Sequence, residues 1–130
     1  LLLARLIEQS SWFMERDLSA YLQDVLEACN SIEDVMNGVS LEEYRTRRAV
    51  RSAVEREFII IGESLRRVSA LDETLFNSIS NSRAIVDFRN LLAHDYGAVD
   101  DDAVFGLVYS DLIMLKAEVS ELLDACDNAN

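Results

Sequence analysis

Nine consecutive residues, Arg89-Asn90-Leu91-Leu92-Ala93-His94-Asp95-Tyr96-Gly97, crowd together side chains able to do polar chemistry. The only histidine of the protein is among them. An imidazole exchanges protons near neutral pH, as a general acid or base must. The negative end of a helix favours its cationic form, and a neighbouring carboxylate such as Asp95 acts in the same direction. The guanidinium of Arg89 suits a phosphoryl group and neutralises charge that builds there in a transition state. Taken alone, a single histidine at a helix end is more often a cap or surface residue than a catalyst. Tyr96 is likewise more often a packing residue with a wet hydroxyl.

Spacing constrains what these groups can do together. Positions 89 and 94 are five apart, which is about 140° around a regular helix. They share a face only if the helix breaks before His94. Positions 89 and 96 are seven apart and share one. The helix is therefore expected to end or tighten near Ala93, swinging His94 toward a groove beside Arg89.

The elements that must position this stretch read as helices. The chain has 130 residues, half of them hydrophobic, which suits one domain with a sizeable core. It has 4 glycines and no proline, too little punctuation for a turn-rich β-sandwich or barrel. Apolar runs reach only four residues, as in Phe58-Ile59-Ile60-Ile61, too short for a membrane span. From Asp17 to Met36 apolar residues recur every three or four positions, and Asn37-Gly38 ends that helix. Ser40-Leu41-Glu42-Glu43 has the form of a capping box. It predicts a long helical region to about Ala70, with Val50, Val54, Ile61, Leu65 and Val68 inward and Gly62 permitting close helix packing. A shorter helix follows from Leu71 to Ile79, with Leu71, Leu75, Phe76 and Ile79 inward. The next carries the stripe Ile85, Phe88, Leu91 and Leu92. Asp100 or Asp101 then caps one last helix bearing Val104, Val108, Leu112, Leu115, Val119, Leu122 and Cys126. The expected fold is all-α, an up-and-down bundle of four to five helices. Residues 1–13 read as an N-terminal extension or a cloning remnant, and residues 14–130 as a single helical domain.

Charge is unevenly spread. The formal net charge is −12, which argues against general nucleic-acid binding. Residues 1–44 carry −7, residues 45–89 carry +3 and residues 90–130 carry −8. Of the 12 basic residues only Lys116 is not arginine. The arginine-rich middle either pairs with carboxylates of the protein or presents a local phosphate-facing patch. Cys29 and Cys126 make no disulfide framework, and neither sits in metal-ligand spacing, so a reducing cytoplasmic setting is expected. Cys29 falls on an apolar stripe and reads as a small core residue.

Arg, four residues, His, one residue, Tyr, as written in R-N-L-L-A-H-D-Y, resembles the signature of the HepT-like toxins of the HEPN superfamily. The segment F-I-I-I-G-E-S-L-R-R resembles that family's long central helix. The likeness spans roughly residues 15 to 125. It implies an HEPN-like helical domain and a metal-independent endoribonuclease that works without a cofactor. It also implies a homodimer, and a nucleotidyltransferase antitoxin as partner. Arg89 and His94 match the family's catalytic pair, and Asn90 and Asp95 its variable polar positions. Tyr96 matches the tyrosine that the partner adenylylates. Arg45, Arg47, Arg48 and Arg51 are candidates for a phosphate track if they face the cleft, or for contacts with acidic surface if they do not. The competing reading is a non-catalytic helical partner that binds a nucleotide or the transferase through Arg89, His94 and Tyr96.

Overall fold

Helix starts are set by side chains that satisfy the first free backbone N–H groups. Asp17 accepts from the Ala20 N–H at 2.8 Å and opens α2, Leu18–Met36. Ser40 and Glu43 form the expected reciprocal capping box and open α3, Leu41–Thr46. Asp72 accepts from the Leu75 N–H and opens α5, Glu73–Ser78. Asp100, rather than Asp101, accepts from the N–H groups of Asp102 and Ala103 and opens α7, Asp101–Val108. The remaining elements are α1, Leu2–Trp12; α4, Arg48–Leu71; α6, Ser82–His94; and α8, Asp111–Asn128. A short 3-10 turn, Tyr96–Ala98, follows α6.

The structure is a computed structural model that describes residues 1–12 and 17–128, with the backbone alone at 8–12 and at 96. The expected domain start at Met14 and the side chain of Tyr96 lie outside the described residues. Among the described residues every regular element is helical, in accord with an all-α HEPN-like fold.

The core is built around α4, which packs against α2 on one side and α6 on the other, while α2 also packs against α8. Leu22, Val25 and Ile32 of α2 meet Val54, Ile61 and Leu65 of α4 and Leu112, Leu115 and Val119 of α8. Cys29 is fully buried in this core, and burial pushes its thiol pKa up to about 12. Phe58 and Phe88 touch edge to face with ring centroids 5.4 Å apart, joining α4 to α6.

Two expected long helices are broken. The region after the capping box stops at Thr46, whose hydroxyl bonds back to the carbonyls of Glu42 and Glu43. Arg47 then takes an extended conformation, and α4 begins at Arg48. The last helix is interrupted at Tyr109-Ser110, where the Ser110 hydroxyl bonds back to the Gly106 carbonyl at 3.0 Å. Glycine inside a helix and a back-bonding serine both weaken the regular ladder there.

Some stripe residues also sit differently. Leu71 is 54% exposed because α4 ends on it, and Leu91 is 38% exposed. Val86, not Leu91, joins Leu92 in the core of α6. Ile85 and Phe88 instead line an apolar groove with Leu107, Leu112 and Leu115. Leu123 is buried where Leu122 and Cys126 are half-buried.

Candidate functional site

Gly62 decides how Arg89 is held. A Cβ at position 62 would overlap Cβ of Arg89 and lie 2.7 Å from its Cγ. The missing side chain lets α6 press against α4, so the stem of Arg89 lies across the α4 backbone. The guanidinium then reaches Glu63, with Nη2 3.3 Å from Oε2. Its Nη1 donates to Asn90 Oδ1 at 3.1 Å, and its Nε is buried without an acceptor among the described residues. Three quarters of the side chain is covered.

Glu63 is shared. Arg66 donates through Nη2 to Oε1 at 2.7 Å and through Nε to Oε2 at 3.3 Å. Arg67 donates through Nε to Oε1 at 3.3 Å. The hydrogen bond from Arg66, helped by the charges of Arg66, Arg89 and Arg67, holds the Glu63 carboxyl below the usual carboxylate range. Sequence reasoning placed Gly62 and Glu63 in the central helix without seeing this cluster. The signal was present in Glu63-Ser64-Leu65-Arg66-Arg67, where positions i, i+3 and i+4 meet on a helix face.

His94 is the last residue of α6 and is exposed. The expected break before it is absent. The Asp95 N–H bonds the Leu91 carbonyl at 2.8 Å, and the chain leaves the helix only at Asp95. Arg89 and His94 therefore stand about 140° apart on one regular helix. Within one chain, Arg89 faces α4 and His94 faces solvent. Asn90 sits beside Arg89, Asp95 caps the helix, and the backbone of Tyr96 opens the turn that follows.

The other arginine group lies between α3, α4 and α7. Arg45 grips Asp102 with two bonds, Nε to Oδ1 at 2.8 Å and Nη2 to Oδ2 at 2.5 Å. Arg51 donates to the carbonyls of Tyr44 and Arg45 and lies 3.7 Å from Asp101. Arg47 is 3.9 Å from Glu43. Arg48 is exposed at the start of α4. Among the described residues, no group of three His, Cys, Asp or Glu side chains is gathered to hold a metal ion. Among the described residues, no helix is long and apolar enough to cross a membrane.

Comparison with known proteins assigns the family. Residues 25–122 match the ribonuclease HepT-like family, a stretch that runs from the middle of α2 nearly to the end of α8. The chain belongs to that family. It is 30% identical over 105 residues to a protein of Methanocaldococcus jannaschii named as a putative RNase, covering 81% of this chain and 95% of that one. It is 28% identical over 109 residues to a probable ribonuclease HepT of Thermococcus cleftensis, covering 84% and 98%. A second Methanocaldococcus jannaschii protein named as a putative RNase is 25% identical over 109 residues, covering 84% and 89%. No solved structure matches the chain significantly. The family and these relatives point to a ribonuclease.

Proposed function

We propose that this protein is a metal-independent endoribonuclease whose active groups are Arg89 and His94, completed by a second copy of the chain. The observation that carries the reading is their placement on α6, with Arg89 anchored at Gly62–Glu63 and the only imidazole exposed in the last turn. One chain has a single histidine. Acid–base cleavage by two imidazoles therefore calls for a symmetric pair. The exposed Leu91, one turn before His94, and the apolar groove lined by Ile85 and Phe88 give α6 surface for such a partner.

The chemistry balances without a cofactor. His94 of one copy takes the proton of an RNA 2′-hydroxyl, and the 2′-oxygen attacks phosphorus. Arg89 stabilises the charge that gathers on the equatorial oxygens. The bond from phosphorus to the 5′-oxygen breaks, and His94 of the other copy gives that oxygen its proton. The products are a 2′,3′-cyclic phosphate and a 5′-hydroxyl.

The resemblance to HepT-like toxins extends the reading to a toxin–antitoxin pair in the cytoplasm. The partner nucleotidyltransferase transfers AMP from ATP to the Tyr96 hydroxyl, and pyrophosphate leaves. The modified side chain brings bulk and negative charge to the end of α6, where RNA phosphate would otherwise sit. The test uses purified protein, single-stranded RNA and a chelator. Cleavage that disappears in His94→Ala, with an unchanged helical spectrum, supports the reading. Equal cleavage by the variant overturns it, and absence of cleavage by the unmodified protein, checked by intact mass, favours the non-catalytic partner.

A further inference from the structure

The arginines differ in how completely their charge is matched. Arg45 has Asp102, Arg51 has Asp101, and Lys116 has Glu33 at 2.8 Å, each a pairing of one cation with one carboxylate. Among the described residues, Arg66, Arg67 and Arg89 share a single carboxylate, Glu63. A guanidinium carries five N–H donors, whereas a carboxylate accepts about four hydrogen bonds. Most donors of Arg66 and Arg67 are therefore left for solvent. The charges that lower the Glu63 carboxyl are those of Arg66, Arg89 and Arg67. Arg66 is 51% and Arg67 40% exposed, so their donors face water rather than protein.

We infer that Arg66 and Arg67 of α4 form a phosphate-binding station for the RNA backbone, contiguous with Arg89 through their common anchor Glu63. This rests on the ribonuclease reading and extends it from the reacting phosphate to a neighbouring one. Two features favour an anionic polymer as the occupant. The cluster holds an excess of two positive charges in a protein of net charge −12, so it is a local exception to an acidic surface. It also adjoins the arginine proposed to meet the scissile phosphate, as consecutive phosphates of one strand require. Glu63 acts as an internal counter-ion that gathers the three guanidinium groups and competes with RNA for their donors.

The experiment measures binding of fluorescent single-stranded RNA across a salt series. His94→Ala protein is the background, so that the RNA stays intact. Arg66→Gln with Arg67→Gln is expected to weaken binding about tenfold at low salt, and to flatten the log–log salt slope by about 1.4, or 0.7 per phosphate contact. Glu63→Gln is expected to tighten binding, a sign that a purely structural role for the cluster does not produce. Circular dichroism confirms that each variant is folded, and Arg45→Gln serves as a one-to-one-paired control with little effect. Unchanged affinity and slope in the Arg66–Arg67 double variant overturn the station. So does weaker binding by folded Glu63→Gln together with an equal loss in Arg45→Gln. Failure of the nuclease reading is scored separately, by cleavage with the unmodified protein. If that protein cleaves RNA while the double variant binds as before, only the station falls.

Discussion

Two arginine groups lie near opposite ends of the central helix α4 and are handled in opposite ways. Beside its start, Arg45 of α3 and Arg51 of α4 meet the acidic opening of α7, and Arg51 also closes on the carbonyls of α3. Near its end, Arg66 and Arg67 join Arg89 around one carboxylate. The first region is acid-rich. Burial and the nearby charge of Asp101 push the Glu55 carboxyl up, and burial raises the Tyr44 hydroxyl with help from Glu55 and Asp101. The second region is held by cations that outnumber their partner. The comparison shows that positive potential follows pairing stoichiometry rather than arginine count. A segment with net charge +3 presents that excess at one end and uses it as an internal clamp at the other.

The contrast breaks most visibly in activity. Loss of His94 is expected to lower RNA cleavage about 10²–10⁴-fold, and loss of Arg89 about 10²–10³-fold. Arg45→Ala and Arg51→Ala are expected to leave cleavage near the wild-type rate. Single-turnover rates at saturating protein decide it, and a large loss in the clamp variants with a small one at Arg89 would reverse the assignment of the two regions.

Packing at the second region comes next. Gly62→Ala pushes a methyl group into the stem of Arg89 and is expected to destabilise by about 2 kcal/mol. Gly106→Ala, with open space around its Cβ position, is expected to stabilise by roughly 0.5 kcal/mol. Urea midpoints at constant slope measure both. Equal shifts at the two glycines would show that α4 and α6 do not meet as closely as described.

The clamp at the first region is exposed, with Arg45 and Asp102 each about half covered. Its contribution is expected to be small and to vanish at high salt, because the screening length falls to a few ångström there. The thermal midpoint of Arg45→Ala is then expected to merge with that of the wild type in 1 M sodium chloride. A persistent gap would mark a structural role beyond the ion pair.

The smallest effect is a pH dependence. The Glu63 carboxyl lies below its unfolded value of 4.5, so its stabilisation is present above that pH and fades as pH falls through the lower folded value. The stability gap between wild type and Glu63→Gln should therefore be widest above pH 4.5 and close on acidification. Chemical denaturation from pH 6 downward tests this, and a gap that widens toward acid would contradict the cationic surroundings of Glu63.

Much of the frame was legible in the residues because helix signals are local. Periodicity located α2 from Asp17 onward, and Ser40 with Glu43, and the Asp100-Asp101 pair announced their helices through short-range cap chemistry, the structure choosing Asp100. Cys29 fell on an apolar stripe and lies in the core. The breaks at Arg47 and at Tyr109-Ser110 were missed, since side-chain-to-backbone bonds from Thr46 and Ser110 compete with a periodic pattern that runs through them. Leu71 and Leu91 were assigned inward by spacing alone, yet a helix terminus and a shallow face leave them in water.

By itself the sequence determined an all-α chain, the starts of α2, α3 and α7, and the chemical groups carried on α6. Those follow from interactions spanning a few residues. Only the tertiary structure decided which carboxylate each arginine meets. Asp102 lies 57 positions from Arg45, and Glu63 is 26 from Arg89. Charges that far apart in the chain become neighbours only when burial of the core brings their helices together, and at Gly62 the absence of one methyl group sets how near they come.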